Sequence, residues 1–87
     1  MNRIERIREQ LASLQSVAVE VEDDSHLHAG HAGARDGRGH YRLYIISGQF
    51  AGKSTLTRHR MIYSALGEMM KHEIHALNIK ACTREEL

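Results

Sequence analysis

This 87-residue sequence has little cysteine, proline or continuous apolar sequence: it contains one cysteine, Cys82, and no proline. A single thiol cannot form an intramolecular disulfide or an all-cysteine metal site, and it fits a reducing compartment. No apolar run approaches the roughly 20 residues that cross a bilayer. The N-terminal residues alternate charged and aliphatic side chains, unlike a secretory signal. We therefore expect a cytoplasmic protein without a membrane segment.

The chain also lacks a marked excess of charge of either sign. The 12 basic and 11 acidic side chains leave a formal net charge of +1, which gives weak support for binding to phosphate backbones. The hydrophobic content of 41% and the charged content of 26% are typical of a globular protein. A chain this short has room for one domain with a thin core, which we place at residues 1–87.

Apolar residues recur at helical spacing in two segments. The first segment covers residues 2–15, and Asn2 can cap it, with Glu5 three residues later as in a capping box. The second is predicted to run to about Lys71. Three residues can cap the second helix: Ser54, Thr55 and Thr57.

Alternation with a period of two predicts strands at residues 17–22, 41–46 and 74–82. The first two should form an antiparallel hairpin, and the strand–helix–strand connection favours parallel pairing of the last two. The sequence therefore predicts an α+β fold in the order α-β-β-α-β, with a mixed three-stranded sheet and helices packed on one face. Thr83 and Glu86 predict a capped helical turn at the end.

Histidine is abundant, with seven residues. Three of them lie in the glycine-rich segment 23–39 between the first two strands, and a fourth, His40, lies directly beside it. A connection this long inside a compact domain is usually functional or disordered. Neutral imidazole binds zinc, copper, nickel or iron, and His26, His28 and His31 are close enough in sequence to converge. The alternative is that they are solvated loop residues, because four zinc ligands at recognised spacings are lacking.

His75 begins the third strand on the side of Leu77 and Ile79, which we expect to be the core side. It is therefore either an oriented, partly buried ligand or a rim histidine that hydrogen-bonds to backbone. Cys82 should point to the opposite side as a small packed side chain. No serine–histidine–acid set or carboxylate pair suggests catalysis, so we expect no enzyme.

The segment 48–54 lies between a strand and a helix, the context of a phosphate-binding P-loop, but three rather than four residues separate its glycines. A tight turn is therefore predicted, without nucleotide hydrolysis. Lys53, Arg58, His59 and Arg60 make the start of the second helix basic. These cations either contact phosphates or a partner's acidic groups, or they pair within the chain or remain solvated. The candidate internal partners are Glu20, Glu22, Asp23 and Asp24.

Three runs carry a family resemblance: FAGK at 50–53, RHRMIY at 58–63 and IHAL at 74–77. In residue type, order and spacing they resemble the signature of the BolA family. The match extends back through VEVEDDS at 19–25 and HY at 40–41, and so covers nearly the whole chain. The resemblance implies a fold similar to the class II KH domain, which has the same α-β-β-α-β order.

The resemblance also implies a partnership with monothiol glutaredoxins, in which a [2Fe–2S] cluster is bridged between the two proteins. The partner then supplies a cysteine and a glutathione thiolate, and this chain supplies His75 and a loop ligand. The loop has no cysteine, which implies the histidine subtype, and His31 best matches the family's loop ligand. Imidazole ligands raise the reduction potential of a cluster and make its binding acid-sensitive.

The implied role is therefore that of a non-enzymatic adaptor in iron–sulfur trafficking or in iron, redox and stress regulation. It is expected to be monomeric alone and heterodimeric with its partner, with the second helix lining the partner surface. The family is also described as DNA-binding transcriptional regulators, which gives the alternative function. Lys53, Arg58 and Arg60 would then contact DNA, although the Gly-x-x-Gly loop between helices on which KH domains rely is missing.

Overall fold

The computed structural model describes residues 2–25 and 37–87. In these residues, three helices and three strands follow one another. Their bounds are α1 Arg3–Leu11, β1 Ala18–Asp23, β2 Gly39–Ile46, α2 Thr55–Leu66, α3 Met69–His72 and β3 Ile74–Cys82. The 3₁₀ turns Ala12–Leu14, Gly48–Phe50 and Arg84–Glu86 follow α1, β2 and β3, respectively.

The strands form one mixed sheet in the order β1-β2-β3. β1 and β2 are antiparallel, with Val21 opposite Leu43. β2 and β3 are parallel, with Leu43 opposite Ile79. The parallel pair forms because α2 and α3 provide the crossover that returns the chain to the start of the neighbouring strand. The predicted α+β architecture with a mixed three-stranded sheet is confirmed.

The core lies between one face of this sheet and the helices. β2 contributes Tyr41, Leu43 and Ile45, all buried, while Arg42 is exposed on the opposite face, as the period of two requires. The helices and the turn after β2 supply the other half of the core: Ile7, Leu11, Phe50, Ile62, Leu66 and Met69. The helices thus pack on one face, as predicted.

α1 begins where predicted and ends earlier. The backbone N–H of Glu5 donates to Asn2 Oδ1 at 2.8 Å, which confirms the N-cap. The α-helix ends at Leu11, and a 3₁₀ turn continues until Gln15, whose φ of 52° is left-handed. The apolar stripe is correct, because Ile7 and Leu11 are both fully buried.

Two helices form where the sequence pattern predicts one. Among the candidate caps it is Ser54 that begins α2, where its Oγ accepts from the backbone N–H of Thr57 at 3.1 Å. The helix ends at Leu66 because Gly67 adopts a φ of +56°, which glycine tolerates and an α-helix cannot include. The chain then resumes as α3, so a continuous helix to about residue 71 is wrong.

Candidate metal-binding site

β3 contains an extra residue at its start. Gly39 of β2 pairs with Ile74, whereas the next residue, His40, pairs with Ala76, so His75 is the additional residue. Such bulges are rare in parallel pairs, and they redirect side chains. Ile74 is buried, and His75 is exposed. The prediction that His75 faces the core is wrong, because the extra residue breaks the alternation along the strand.

The ring of His75 lies beside the ring of His40. Their centroids are 5.1 Å apart, and the ring planes are tilted by 48°. His40 is only 8% exposed, so a buried imidazole adjoins an exposed one. The backbone of His40 is held on both sides: its N–H donates to Ser25 Oγ at 3.0 Å, and its carbonyl accepts from the N–H of Asp24 at 2.8 Å. We refer to His40 and His75 as the histidine pair.

His40 is missing from the predicted site residues. The period of two places it on the sheet face opposite Tyr41, but the residue beside it on β3 depends on the register between strands. That register includes the extra residue at His75, which no local sequence pattern indicates. The one available signal is that His40 closes the segment in which the loop histidines lie.

Two arginines of α1 bind the residue that precedes β3. Both terminal nitrogens of Arg6 donate to the carboxylate of Glu73, and Arg3 Nε lies 3.7 Å from Glu73 Oε1. Arg3 also donates to the carbonyl of Gly37 at 2.8 Å, and the N–H of Gly39 donates to the carbonyl of Glu73 at 2.9 Å. The Glu73 cluster, formed by Arg3, Arg6 and Glu73, therefore connects α1 to the starts of β2 and β3.

The predicted loop ligand His31 lies outside the described residues, as do His26 and His28. The described ends of that segment are Ser25, which binds the backbone of His40, and Gly37, which binds the Glu73 cluster. Within residues 2–25 and 37–87, no group of three or more histidine, cysteine, aspartate or glutamate residues is placed to hold a metal ion.

Cys82 ends β3, seven residues after His75, a distance of about 23 Å along a strand. Its side chain is buried, and its thiol donates weakly to Tyr44 Oη, 3.9 Å away. The prediction of a packed side chain is confirmed. A metal ion at the histidine pair is out of reach of this thiol.

The glycine-rich turn after β2 is held by internal hydrogen bonds. Ser47 Oγ accepts from the N–H of Gln49 at 3.1 Å and donates to the carbonyl of Leu14 at 2.7 Å. Phe50 is fully buried, and its carbonyl accepts from the N–H of Lys53. These bonds confirm the predicted tight strand-to-helix turn.

Arg58, at the start of α2, is directed into the molecule. Its guanidinium donates to both carboxylate oxygens of Glu86, at 2.6 and 2.7 Å. It also donates to the carbonyls of Lys53 and Ala81, at 3.0 and 3.1 Å, and its side chain is 11% exposed. Its internal partner is therefore Glu86 and not an acidic residue of β1 or the loop. Lys53 and Arg60 are exposed.

The Arg58–Glu86 pair shifts the pKa of both groups. The hydrogen bonds from Arg58, followed by that from the Thr83 N–H at 2.9 Å, lower the pKa of Glu86 from 4.5 to about 2. The same carboxylate raises the pKa of Arg58. Thr83 and Glu86 form the predicted capping box, which here closes a 3₁₀ turn.

The outward side of α2 combines apolar and basic groups. Leu56 is 59% exposed and Tyr63 40% exposed. The ring of His59 meets that of Tyr63 edge-on, with centroids 6.4 Å apart. The residues of α2 include no acidic side chain. We refer to Leu56, His59, Arg60 and Tyr63 as the α2 surface.

Across residues 2–25 and 37–87, no helix has the length and apolar character needed to cross a membrane.

Comparison with known proteins gives consistent matches. A family model for BolA-like proteins matches residues 11–86. The solved BolA domain of SufE1 from Arabidopsis thaliana has a TM-score of 0.86 and 45% identity, over 100% of this chain and 98% of its own. BolA1 from the same plant has a TM-score of 0.84 and 37% identity, over 100% and 97%. The DNA-binding transcriptional regulator BolA of Escherichia coli (strain K12) is 41% identical, over 94% of this chain and 76% of its own.

The chain spans only part of some relatives. It corresponds to 24% of the Arabidopsis SufE-like protein 1, with 48% identity, and to 56% of the Arabidopsis BOLA1 protein, with 39% identity. The names of these two proteins place them in chloroplasts or mitochondria. The cytoplasmic location therefore stays a prediction.

Proposed function

This chain belongs to the BolA family, and on that basis we propose that it is a non-enzymatic adaptor that binds a monothiol glutaredoxin and shares a [2Fe–2S] cluster with it. The cluster is the cargo that passes through the complex. This chain then takes part in iron–sulfur trafficking or in iron and redox regulation by accepting the cluster or giving it up.

The exposed imidazole of His75 is the observation that carries the proposal. A histidine on a regular strand beside a core would be covered, but the extra residue in β3 turns this one to solvent. Glu73 lies two residues earlier; its carbonyl accepts from the N–H of Gly39 at 2.9 Å, and its carboxylate is bound by Arg6. An exposed ligand on a fixed backbone can reach an iron atom held mainly by another protein.

The donor chemistry fits a cluster that is shared rather than held by this chain alone. Imidazole is a known iron ligand in [2Fe–2S] centres, and the described residues offer the histidine pair but no accessible thiol. We assign His75 as one ligand and His31 as the second, with the cysteine and glutathione thiolates coming from the glutaredoxin side.

The α2 surface is the part of the chain that we assign to partner contact. Leu56 and Tyr63 expose apolar area that a partner can bury, and Arg60 adds positive charge without an acidic neighbour on the same helix. A partner with an acidic and apolar surface would be complementary to it.

Reconstitution with iron, sulfide, glutathione and a monothiol glutaredoxin tests the proposal. We expect a heterodimer whose visible absorption and circular dichroism differ from those of the glutaredoxin homodimer. His75→Ala should remove these differences. His72→Ala, which changes an exposed histidine of α3, is the matched control and should retain them. A wild-type spectrum from His75→Ala would remove His75 from the ligand set.

DNA binding is a second candidate function, because the similar E. coli protein carries that activity in its name. Its support in this chain is the exposed pair Lys53 and Arg60, since Arg58 is already bound to Glu86. Affinity should fall steeply with added salt and should be weakened by Arg60→Ala. Absence of a mobility shift at low salt would exclude this function.

A further inference from the structure

The histidine pair consists of rings from two neighbouring strands, brought together by the extra residue of β3. His40 pairs with Ala76, which leaves His75 between the partners of Gly39 and His40. Irregularities of this kind are frequent beside functional sites.

The separation of the two rings matches that of two imidazoles on one metal ion. With a metal–nitrogen distance of about 2.05 Å, each ring centroid lies about 3.2 Å from the ion, and a tetrahedral angle then separates the centroids by about 5.2 Å. The observed separation is 5.1 Å. The tilt of 48° also distinguishes this pair from rings that stack face to face.

One ligand of the pair is fixed and the other is accessible. The ring of His40 is buried, with 8% exposure, so its side chain has already lost most of its rotamer freedom in the folded chain, and hydrogen bonds to Ser25 and Asp24 hold its backbone. His75 is exposed and can turn towards an arriving ion. A site with one preorganised ligand loses less entropy on binding than one with two mobile ligands.

A pocket of mixed polarity lies beside His40. It has a volume of about 250 Å³, and its lining includes the polar residues Asp24 and Asn78 and the apolar residues Ala76 and Leu77. The carboxylate of Asp24 pairs with Arg42 at 3.1 Å, so it adds little uncompensated charge. His75 is exposed to solvent, so water can occupy the coordination positions that two histidines leave open.

We propose that the histidine pair binds one divalent transition-metal ion in the chain by itself, with His40 and His75 as protein ligands and water completing the coordination. Neutral imidazoles favour Zn²⁺, Co²⁺, Ni²⁺ or Cu²⁺ over Mg²⁺ or Ca²⁺. This site needs neither glutaredoxin nor glutathione, so it can be tested independently of the adaptor function. Because both use His75, a bound ion excludes the cluster from that ligand.

Titration of the isolated chain with Co²⁺, followed by the visible d–d absorption, tests the site. We expect one ion per chain and at least a tenfold loss of affinity in His75→Asn, whose exposed position leaves folding unaffected. His72→Asn changes an exposed histidine of α3, is the matched control and should bind as the wild type does. Wild-type affinity in His75→Asn would overturn the proposal.

A measurement on the unaltered chain avoids substitution of the buried His40. Long-range ¹H–¹⁵N spectra of histidine side chains, recorded with and without Zn²⁺, report each ring nitrogen separately. We expect one nitrogen of His40 and one of His75 to shift together at one equivalent of Zn²⁺. A change in the nitrogen resonances of His75 without a change in those of His40 would contradict the two-histidine site.

Discussion

Gly39 lies beside the histidine pair, and its missing side chain leaves room for the ring of Tyr41. A Cβ at this position would be 2.5 Å from Tyr41 Cε2, and Tyr41 is only 4% exposed. Gly39→Ala should therefore lower the free energy of unfolding by about 1–3 kcal/mol, because the buried ring has to move. Chemical denaturation measures this change.

Gly48→Ala is the matched control, since a Cβ at Gly48 meets nothing within 4 Å. We expect its free energy of unfolding to stay within about 0.5 kcal/mol of the wild type. Equal stability of the two variants would mean that the Tyr41 ring does not require Gly39.

Glu86 predicts a defined acid dependence of stability. Its pKa in the folded chain is about 2, below the ordinary 4.5, because of the hydrogen bonds from Arg58. The pair therefore contributes stability above about pH 4.5 and loses it as the pH falls towards 2. Unfolding curves of wild type and Glu86→Gln should differ at neutral pH and converge near pH 2. A difference that is constant with pH would contradict the assigned pKa.

The sequence identifies one member of the histidine pair as a candidate ligand more readily than the other. His75 is a candidate from residue type and family resemblance, but its predicted face is wrong, because alternation assumes regular pairing. For His40 the sequence offers only its place beside the loop histidines, because its neighbour on β3 is set by strand register. Arg58 shows the same limit: its charge is evident from the sequence, but its bond to Glu86, 28 residues later, depends on tertiary structure.

At the scale of elements, α1 is linked to the site through the Glu73 cluster. Glu73→Gln should lower the free energy of unfolding by about 1 kcal/mol or less, since Arg3 and Arg6 are 36% and 44% exposed and solvent weakens their attraction. The stronger effect of Glu73→Gln should be on the nearby histidine pair, so the ring-proton NMR signals of His40 and His75 should shift.

Glu68→Gln is the control for that change, because Glu68 is 75% exposed and pairs only with surface groups among the described contacts. It should leave the two histidine signals in place. Identical spectra for Glu73→Gln and the wild type would show that the Glu73 cluster does not position the histidine pair. Arg3 and Arg6 precede residues 11–86, which the family model covers, whereas Glu73 lies within them.

The helices and strands were predictable to the extent that their patterns are local. Periodicity identifies α1, β2 and β3 because a regular pattern holds over most of each element; in β3 it fails at His75. It misses the break at Gly67, since Leu66 and Met69 remain buried on both sides of the glycine. The positive φ of Gly67 is a tertiary outcome, as a lone glycine is also tolerated within helices.

At the scale of the whole molecule, the two ends of β3 have different roles. The start carries the exposed His75 beside His40, and the end is tied to α2 through Arg58, Ala81 and Glu86. The length of β3 separates the histidine pair from Cys82 by about 23 Å. Element order and sheet type followed from the sequence, because the crossover connection allows few topologies.

The most direct test of the adaptor function is to measure the hyperfine coupling between histidine nitrogen nuclei of this chain and the cluster. The chain, labelled with ¹⁵N at histidine, is combined with unlabelled glutaredoxin and glutathione, and the reduced [2Fe–2S] cluster is examined by electron–nuclear double resonance. We predict a ¹⁵N coupling in the heterodimer that the glutaredoxin homodimer lacks and that His75→Ala diminishes. A cluster without ¹⁵N coupling, or with the same coupling in His75→Ala, would contradict His75 as a ligand.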